Sequence, residues 1–192
     1  MSREERQKVI STVVDEVNGK TVVIAGTGSI STRETILLTK DAEDIGADAA
    51  LVVTPFYFKL SNREIIEHYN VLIEAVDIPI VLYSVPKFTG ISLKPKVIDQ
   101  LVHKHTNIIG VKDSSGDITT IKETVRLVGN EISVLAGTAD LTLPALKMGA
   151  KGAVIAVANV FPKICVKLYE AFKKGEWEKV EKLQRQITRI ND

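Results

Sequence analysis

The sequence contains a single cysteine, Cys165, so no disulfide can form within the chain and no cysteine cluster exists to hold a metal. Neither charge is in excess: 25 lysines and arginines stand against 24 aspartates and glutamates, for a net charge of +1. Such a balance lacks the long-range attraction to phosphate that nucleic-acid-binding proteins carry, and a nucleic-acid partner is not expected. No apolar run reaches the roughly 18 to 20 residues that cross a bilayer. The opening residues, Met1-Ser2-Arg3-Glu4-Glu5-Arg6, lack the apolar stretch of a signal peptide. A cytoplasmic protein without a membrane partner is the expectation. Aromatic residues make up only 5%, against 45% apolar and 26% charged. This is an ordinary globular composition, which excludes disordered, collagenous and low-complexity chains.

What is present is an alternation of short β-branched runs with longer segments whose apolar residues recur at helical spacing. Strands are predicted at 21–26, 49–54, 79–85, 108–112, 132–136 and 152–158. Their apolar runs show no in/out polar alternation, which predicts a parallel sheet covered on both faces. Helices are predicted at 33–45, 62–75, 94–103, 119–128, 141–148 and 162–173, with a last one at 176–189 carrying Trp177, Val180, Leu183 and Ile187 on one stripe. Ser2 with Glu5, and Ser31 with Glu34, have the spacing of helix-opening capping pairs. Asn18-Gly19, Gly46 and Gly149 fall where helices close. A doubly wound sheet and a (β/α)8 barrel both fit, and in both the chemistry sits at the carboxyl ends of the strands.

Those ends concentrate small and polar residues. Lys112 directly follows Ile108-Ile109-Gly110-Val111, which puts it at the last turn of a buried strand. Burial would disfavour its ammonium form and leave an amine able to attack a carbonyl, a Schiff-base lysine. A lysine that snorkels to the rim, or pairs with Asp113 or Asp117, fits the same position. Tyr83 follows Pro79-Ile80-Val81-Leu82 in the same way, as a proton carrier for Lys112 or as a core tyrosine with its hydroxyl bonded at the rim. Gly26-Thr27-Gly28 lacks the third glycine of a dinucleotide loop and the Lys-Ser/Thr of a phosphate loop, and is read as a close-approach turn. His68, His103 and His105 have no metal-ligand spacing, and Cys165 is read as buried filler in a helix. No metal and no cofactor are expected.

Tyr83-Ser84-Val85-Pro86 followed by Gly110-Val111-Lys112-Asp113-Ser114-Ser115-Gly116-Asp117 resembles the dihydrodipicolinate synthase/N-acetylneuraminate lyase family, pyruvate-dependent class I aldolases on a (β/α)8 TIM barrel. The resemblance extends to Ala25-Gly26-Thr27-Gly28-Ser29, Gly46-Ala47-Asp48, Leu51-Val52-Val53-Thr54-Pro55, Leu135-Ala136-Gly137 and the segment from Gly149 to Asn159. It implies that Lys112 forms the Schiff base with a small 2-oxo acid and that Tyr83 moves protons to and from the intermediate. It further implies that Tyr57 is lent across a dimer interface into a neighbouring site, and that Gly137 and Val154 border the pyruvate moiety. A homo-oligomer, dimer or tetramer, is implied for the full-length form. An imine is an electron sink, which makes a carbon nucleophile accessible near neutral pH.

Two departures shape the expectation. Synthases of the family carry an arginine two residues after the proline of the tyrosine motif, to grip a carboxylate; here that place is Phe88, preceded by Lys87. With Ser84, this favours a Schiff-base aldolase cleaving or forming a 2-oxo acid of the 4-hydroxy-2-oxoglutarate or 2-keto-3-deoxy sugar acid type. The alternative is a 4-hydroxy-tetrahydrodipicolinate (dihydrodipicolinate) synthase of lysine biosynthesis, and a further one is an inactive truncated barrel with an interaction role. The second departure is length. Against barrels of about 250 residues, 192 residues predict about six of eight strands, without the first two βα units or the end of the helical tail. Residues 1–174 are expected to form the partial barrel and 175–192 the start of a helical extension.

Overall fold

The computed structural model describes residues 1–191. Its elements run α1 (Arg3–Val17), β1 (Ile24–Gly26), α2 (Thr32–Ile45), β2 (Ala49–Val53), α3 (Asn62–Ile73), β3 (Ile80–Ser84), α4 (Pro86–Thr89), α5 (Pro95–Lys104) and β4 (Ile108–Asp113). Then follow α6 (Ile118–Val128), β5 (Ser133–Ala136), α7 (Thr142–Lys147), β6 (Gly152–Ala153), α8 (Pro162–Lys173) and α9 (Trp177–Asn191). The strands are hydrogen-bonded neighbours in chain order, and the ladders β1–β2, β2–β3 and β5–β6 are parallel. Strand followed by helix, repeated in order, is the pattern of a (β/α)8 barrel, of which six strands are present among the described residues. The chain divides within β4 into two compact units, Met1–Gly110 and the part from Val111 onward.

In the first unit the capping pair Ser2 and Glu5 opens α1 as a reciprocal capping box, and Ser61 and Glu64 do the same for α3. Ser31 caps α2 through the Glu34 N–H, but the Glu34 carboxylate accepts from Ser29 instead of closing the box. Asn18 and Gly46 end their helices in left-handed conformation. Arg3 is bound through two nitrogens to the buried Asp41 on α2, both at 2.6 Å, and holds that carboxyl below its ordinary range. Helix α3 is tied to the sheet by the fully buried Tyr69, whose hydroxyl donates to the Val52 carbonyl at 3.0 Å. The expectation of a sheet buried on both faces is corrected here. Burial along β1 alternates, with Ala25 at 5% exposure and Ile24 at 41%, because the helices cover one face only. Leu51 and Val53 of β2 are half-buried for the same reason.

In the second unit the core is largely helical. Leu168 and Ala171 of α8 are buried with Val180 and Ile187 of α9. Gln184 of α9, also buried, accepts from the Leu143 N–H at 2.8 Å and donates to the Ala139 carbonyl at 2.9 Å. Two details depart from expectation. The sixth strand ends at Ala153, and Ala156–Asn159 forms a 3-10 turn, since turning the chain to bury Ile155 and Val157 replaces the ladder there. Trp177 is 52% exposed and stands edge-on to Phe172 at the margin, so its place on the apolar stripe did not bring it into the core.

Candidate active site

The five residues singled out from the sequence all lie at or just beyond the carboxyl ends of strands. Lys112 is the penultimate residue of β4 and Tyr83 of β3; both are half-buried. Gly137 follows β5 directly and Val154 follows β6, and Tyr57 lies on the segment after β2. Tyr83 belongs to the first unit and Lys112 to the second.

In the first unit, β2 and β3 run in register over four residue pairs, the last being Val53 with Tyr83. The Tyr83 carbonyl accepts from the Thr54 N–H at 3.3 Å. The ladder therefore fixes the backbone that carries the phenol. A cavity of about 410 Å³ opens at these strand ends, with Tyr83, Leu51, Val53, Phe56, Val85 and Phe88 on its walls. Gly26 and Gly28 form its floor on the β1 side. At Gly28 the absent side chain is a packing requirement: a Cβ there would stand 2.6 Å from the Val53 backbone nitrogen. The turn after β1 can approach β2 only as glycine, as expected of a close-approach turn.

Tyr57 adopts φ +86°, a conformation that costs a bulky side chain energy and persists where its surroundings impose it. Its ring is 86% exposed and stands edge-on to Phe58 at 5.0 Å. A strained backbone presenting an aromatic ring to solvent is an arrangement no sequence pattern announces.

In the second unit, alternation along β4 sends Lys112 and Asp113 to opposite faces, so the sequence alternative in which these two neighbours pair is disfavoured. Asp113 is 1% exposed, and burial pushes its carboxyl above the ordinary range although the Ser115 N–H donates to it at 2.7 Å. Asp117 is engaged as the N-cap of α6, receiving the Thr119 hydroxyl at 2.6 Å and the Thr119 N–H at 2.8 Å, and these bonds hold its carboxyl below the usual range. The Gly137 N–H donates to the Asp113 carbonyl at 2.7 Å. A Cβ on Gly137 would collide with the Ser114 hydroxyl, so glycine is what lets the end of β5 close on the end of β4. Three hydroxyls at strand ends, those of Thr54, Ser114 and Thr138, are buried without a hydrogen-bond partner among the described residues. The sequence signal for them was a small hydroxyl residue at, or within two positions of, the end of a predicted strand. Cys165 proves half-buried and not a filled core position; it lines a separate cavity of about 370 Å³ with Tyr169 and Lys151. Among the described residues no three histidine, cysteine or acidic side chains gather as a metal-holding group, and no helix is long and apolar enough to cross a membrane.

The profile of the Dihydrodipicolinate synthetase family matches residues 1–192. The chain belongs to this family. A 4-hydroxy-tetrahydrodipicolinate synthase from Methanopyrus kandleri is 42% identical over 187 residues, covering 97% of this chain and 62% of the relative. One from Thermodesulfovibrio yellowstonii is 41% identical, covering 98% and 64%. Among solved structures, dihydrodipicolinate synthase from Aquifex aeolicus matches with a TM-score of 0.95 at 35% identity, covering 99% of this chain and 65% of that one. YagE, an E. coli K12 prophage protein of the same family in complex with pyruvate, matches with a TM-score of 0.95 at 30% identity, covering 99% and 65%. This chain thus spans less than two thirds of the length of these relatives. The family and fold expected from the motifs stand. Within the family, the names of the relatives favour the synthase alternative over the hydroxy-oxoglutarate and sugar-acid aldolases suggested by Ser84 and Phe88.

Proposed function

We propose that this chain carries the Schiff-base half of a pyruvate-dependent carbon–carbon bond-forming enzyme of the 4-hydroxy-tetrahydrodipicolinate synthase type. The observation behind this reading is the position of Lys112, half-buried near the carboxyl end of β4 directly after the run Ile108-Ile109-Gly110-Val111, in a chain whose relatives bear that name. In its neutral form the Lys112 amine attacks the keto carbon of pyruvate, and loss of water gives the imine. The imine nitrogen draws electrons from the adjacent methyl, which loses a proton to become an enamine. That carbon attacks an acceptor aldehyde, and hydrolysis returns the amine. The lysine itself provides the electron sink, so the sequence as proposed uses no metal or organic cofactor. Tyr83 has the role of moving protons at the carbinolamine and imine stages. Gly137 and Val154 border the pyruvate moiety. Tyr57, strained and exposed, is the residue lent to a neighbouring subunit, which makes a homodimer the minimal assembly of a full-length form.

Borohydride reduction in the presence of pyruvate, followed by peptide mass spectrometry, tests the reading. The expected result is a reduced pyruvyl adduct on Lys112 that Lys112→Arg abolishes. An adduct on another lysine, or no adduct, overturns it.

A further inference from the structure

In the second unit, the turn 137–141 joins β5 to α7 and gathers the backbone of three residues of the proposed site. Where it begins, the Gly137 N–H donates to the carbonyl of Asp113, the neighbour of Lys112, at 2.7 Å, and the Ala136 carbonyl accepts from the Val154 N–H at 2.8 Å. Displacing this turn therefore disturbs the surroundings of Lys112, Gly137 and Val154 together. Local bonds across its far end are long: the Thr142 N–H reaches the Ala139 carbonyl at 3.3 Å, and the Thr142 hydroxyl reaches the Thr138 carbonyl at 3.4 Å. Helix α7 also opens at Leu141 without a side-chain cap, although the first N–H groups of a helix have no partner within it.

The shorter bonds come from far along the chain. Gln184 of α9 accepts from the Leu143 N–H at 2.8 Å and donates to the Ala139 carbonyl at 2.9 Å, so one planar amide grips the turn on both sides of its junction with α7. The packing of α9 does not itself ask for an amide. Val180 and Ile187 on the same stripe are fully buried and apolar, and a buried amide disfavours folding unless its hydrogen bonds are remade. What Gln184 adds over an apolar side chain is a fixed turn. We propose that Gln184 is a positioning residue of the Schiff-base site: from the helix that follows the strands it holds the turn 137–141, and so keeps Gly137 seated against the end of β4, where the 2-oxo acid binds beside Lys112. This role rests on the Schiff-base reading above.

Borohydride trapping on the full chain, with borohydride limiting and pyruvate varied, tests the role, and far-UV circular dichroism establishes that each variant is folded. Gln184→Leu is expected to raise the pyruvate concentration for half-maximal trapping at Lys112 about tenfold and to change the maximal rate less than about twofold, because the amine is intact and only its surroundings loosen. Gln184→Met, closer in length to the parent side chain, does the same. Thr188→Ala removes only the bond between Gln184 and Thr188 within α9 and leaves both values at those of the parent. In the isotope-labelled chain the Gly137 amide signal shifts, and its proton exchanges faster, in Gln184→Leu and not in Thr188→Ala. An unchanged half-maximal concentration, an unmoved Gly137 amide, an equal effect of Thr188→Ala, or failure of both Gln184 variants to fold overturns the proposal and leaves Gln184 a purely structural bond. A parent chain that gives no adduct on Lys112 overturns the Schiff-base reading, and the positioning role falls with it.

Discussion

The two units solve the same problem, fastening helices onto parallel strands, with different bonds. In the first, β2 and β3 share a four-residue ladder, and α3 is latched to the sheet by one hydroxyl, Tyr69 to the Val52 carbonyl. In the second, the β5–β6 ladder holds two residue pairs, and the helices do more of the holding: Leu168 and Ile187 are fully buried, and the Gln184 amide satisfies both a backbone donor and a backbone acceptor. The difference teaches where each candidate catalytic residue gets its precision. Tyr83 is positioned by strand pairing. The end of β4 that carries Lys112 is positioned by the close approach of Gly137 and its hydrogen bond to the Asp113 carbonyl.

Substitutions can break or sharpen this contrast. The largest expected effect is in the helical core: Leu168→Ala, at a fully buried position, should destabilise by about 4 kcal/mol in urea denaturation. A loss under about 1 kcal/mol would show that the second unit does not depend on its helices as described.

The next effect belongs to the first unit and depends on pH. His68 of α3 is 4% exposed, and its Nδ1 lies 2.9 Å from the Thr32 hydroxyl. Burial lowers its pKa to about 4 from 6.5. The unfolded chain therefore takes up the proton first as pH falls, so stability drops between about pH 6.5 and pH 4 and levels off below. The full span is about 3 kcal/mol. Denaturation midpoints for the parent and for His68→Gln over this range should diverge, the variant being flatter; parallel curves would remove His68 from the account.

The two latches provide the direct comparison. Gln184→Ala leaves the Leu143 N–H and the Ala139 carbonyl without this partner and should cost about 2 kcal/mol. Tyr69→Phe removes one hydrogen bond and should cost about 1 kcal/mol. The reverse order in equilibrium unfolding would invert the contrast. The smallest effect is at a helix start: Ser61→Ala opens the capping box of α3 and should cost about 1 kcal/mol or less, read as faster amide exchange at Glu64.

Much of this was legible beforehand. Six β-branched runs became six strands because such residues are stiff and pack well on a pleated surface, and capping serines marked helix starts because their hydroxyls satisfy orphan N–H groups. Lys112 and Tyr83 stood out because each directly follows an apolar strand run and because the motifs around them carry the family resemblance. The last strand was overextended because 154–158 is as apolar as a strand and gives no sign of the 3-10 turn. The short helix α4 was hidden in a stretch too brief for periodicity. The positive φ of Tyr57 had no local signal, since neither neighbour is a glycine.

The sequence by itself determined the order of the elements and the family, and singled out the candidate site residues, because these depend on short-range propensity and on motifs read along the chain. Only the tertiary structure decided which strand face is covered, where Gly28 and Gly137 are required, and which apolar side chains wall the cavity beside Tyr83. Those features arise when residues distant in sequence are brought within van der Waals contact, and hydrophobicity alone does not say which face of an apolar strand a helix will cover.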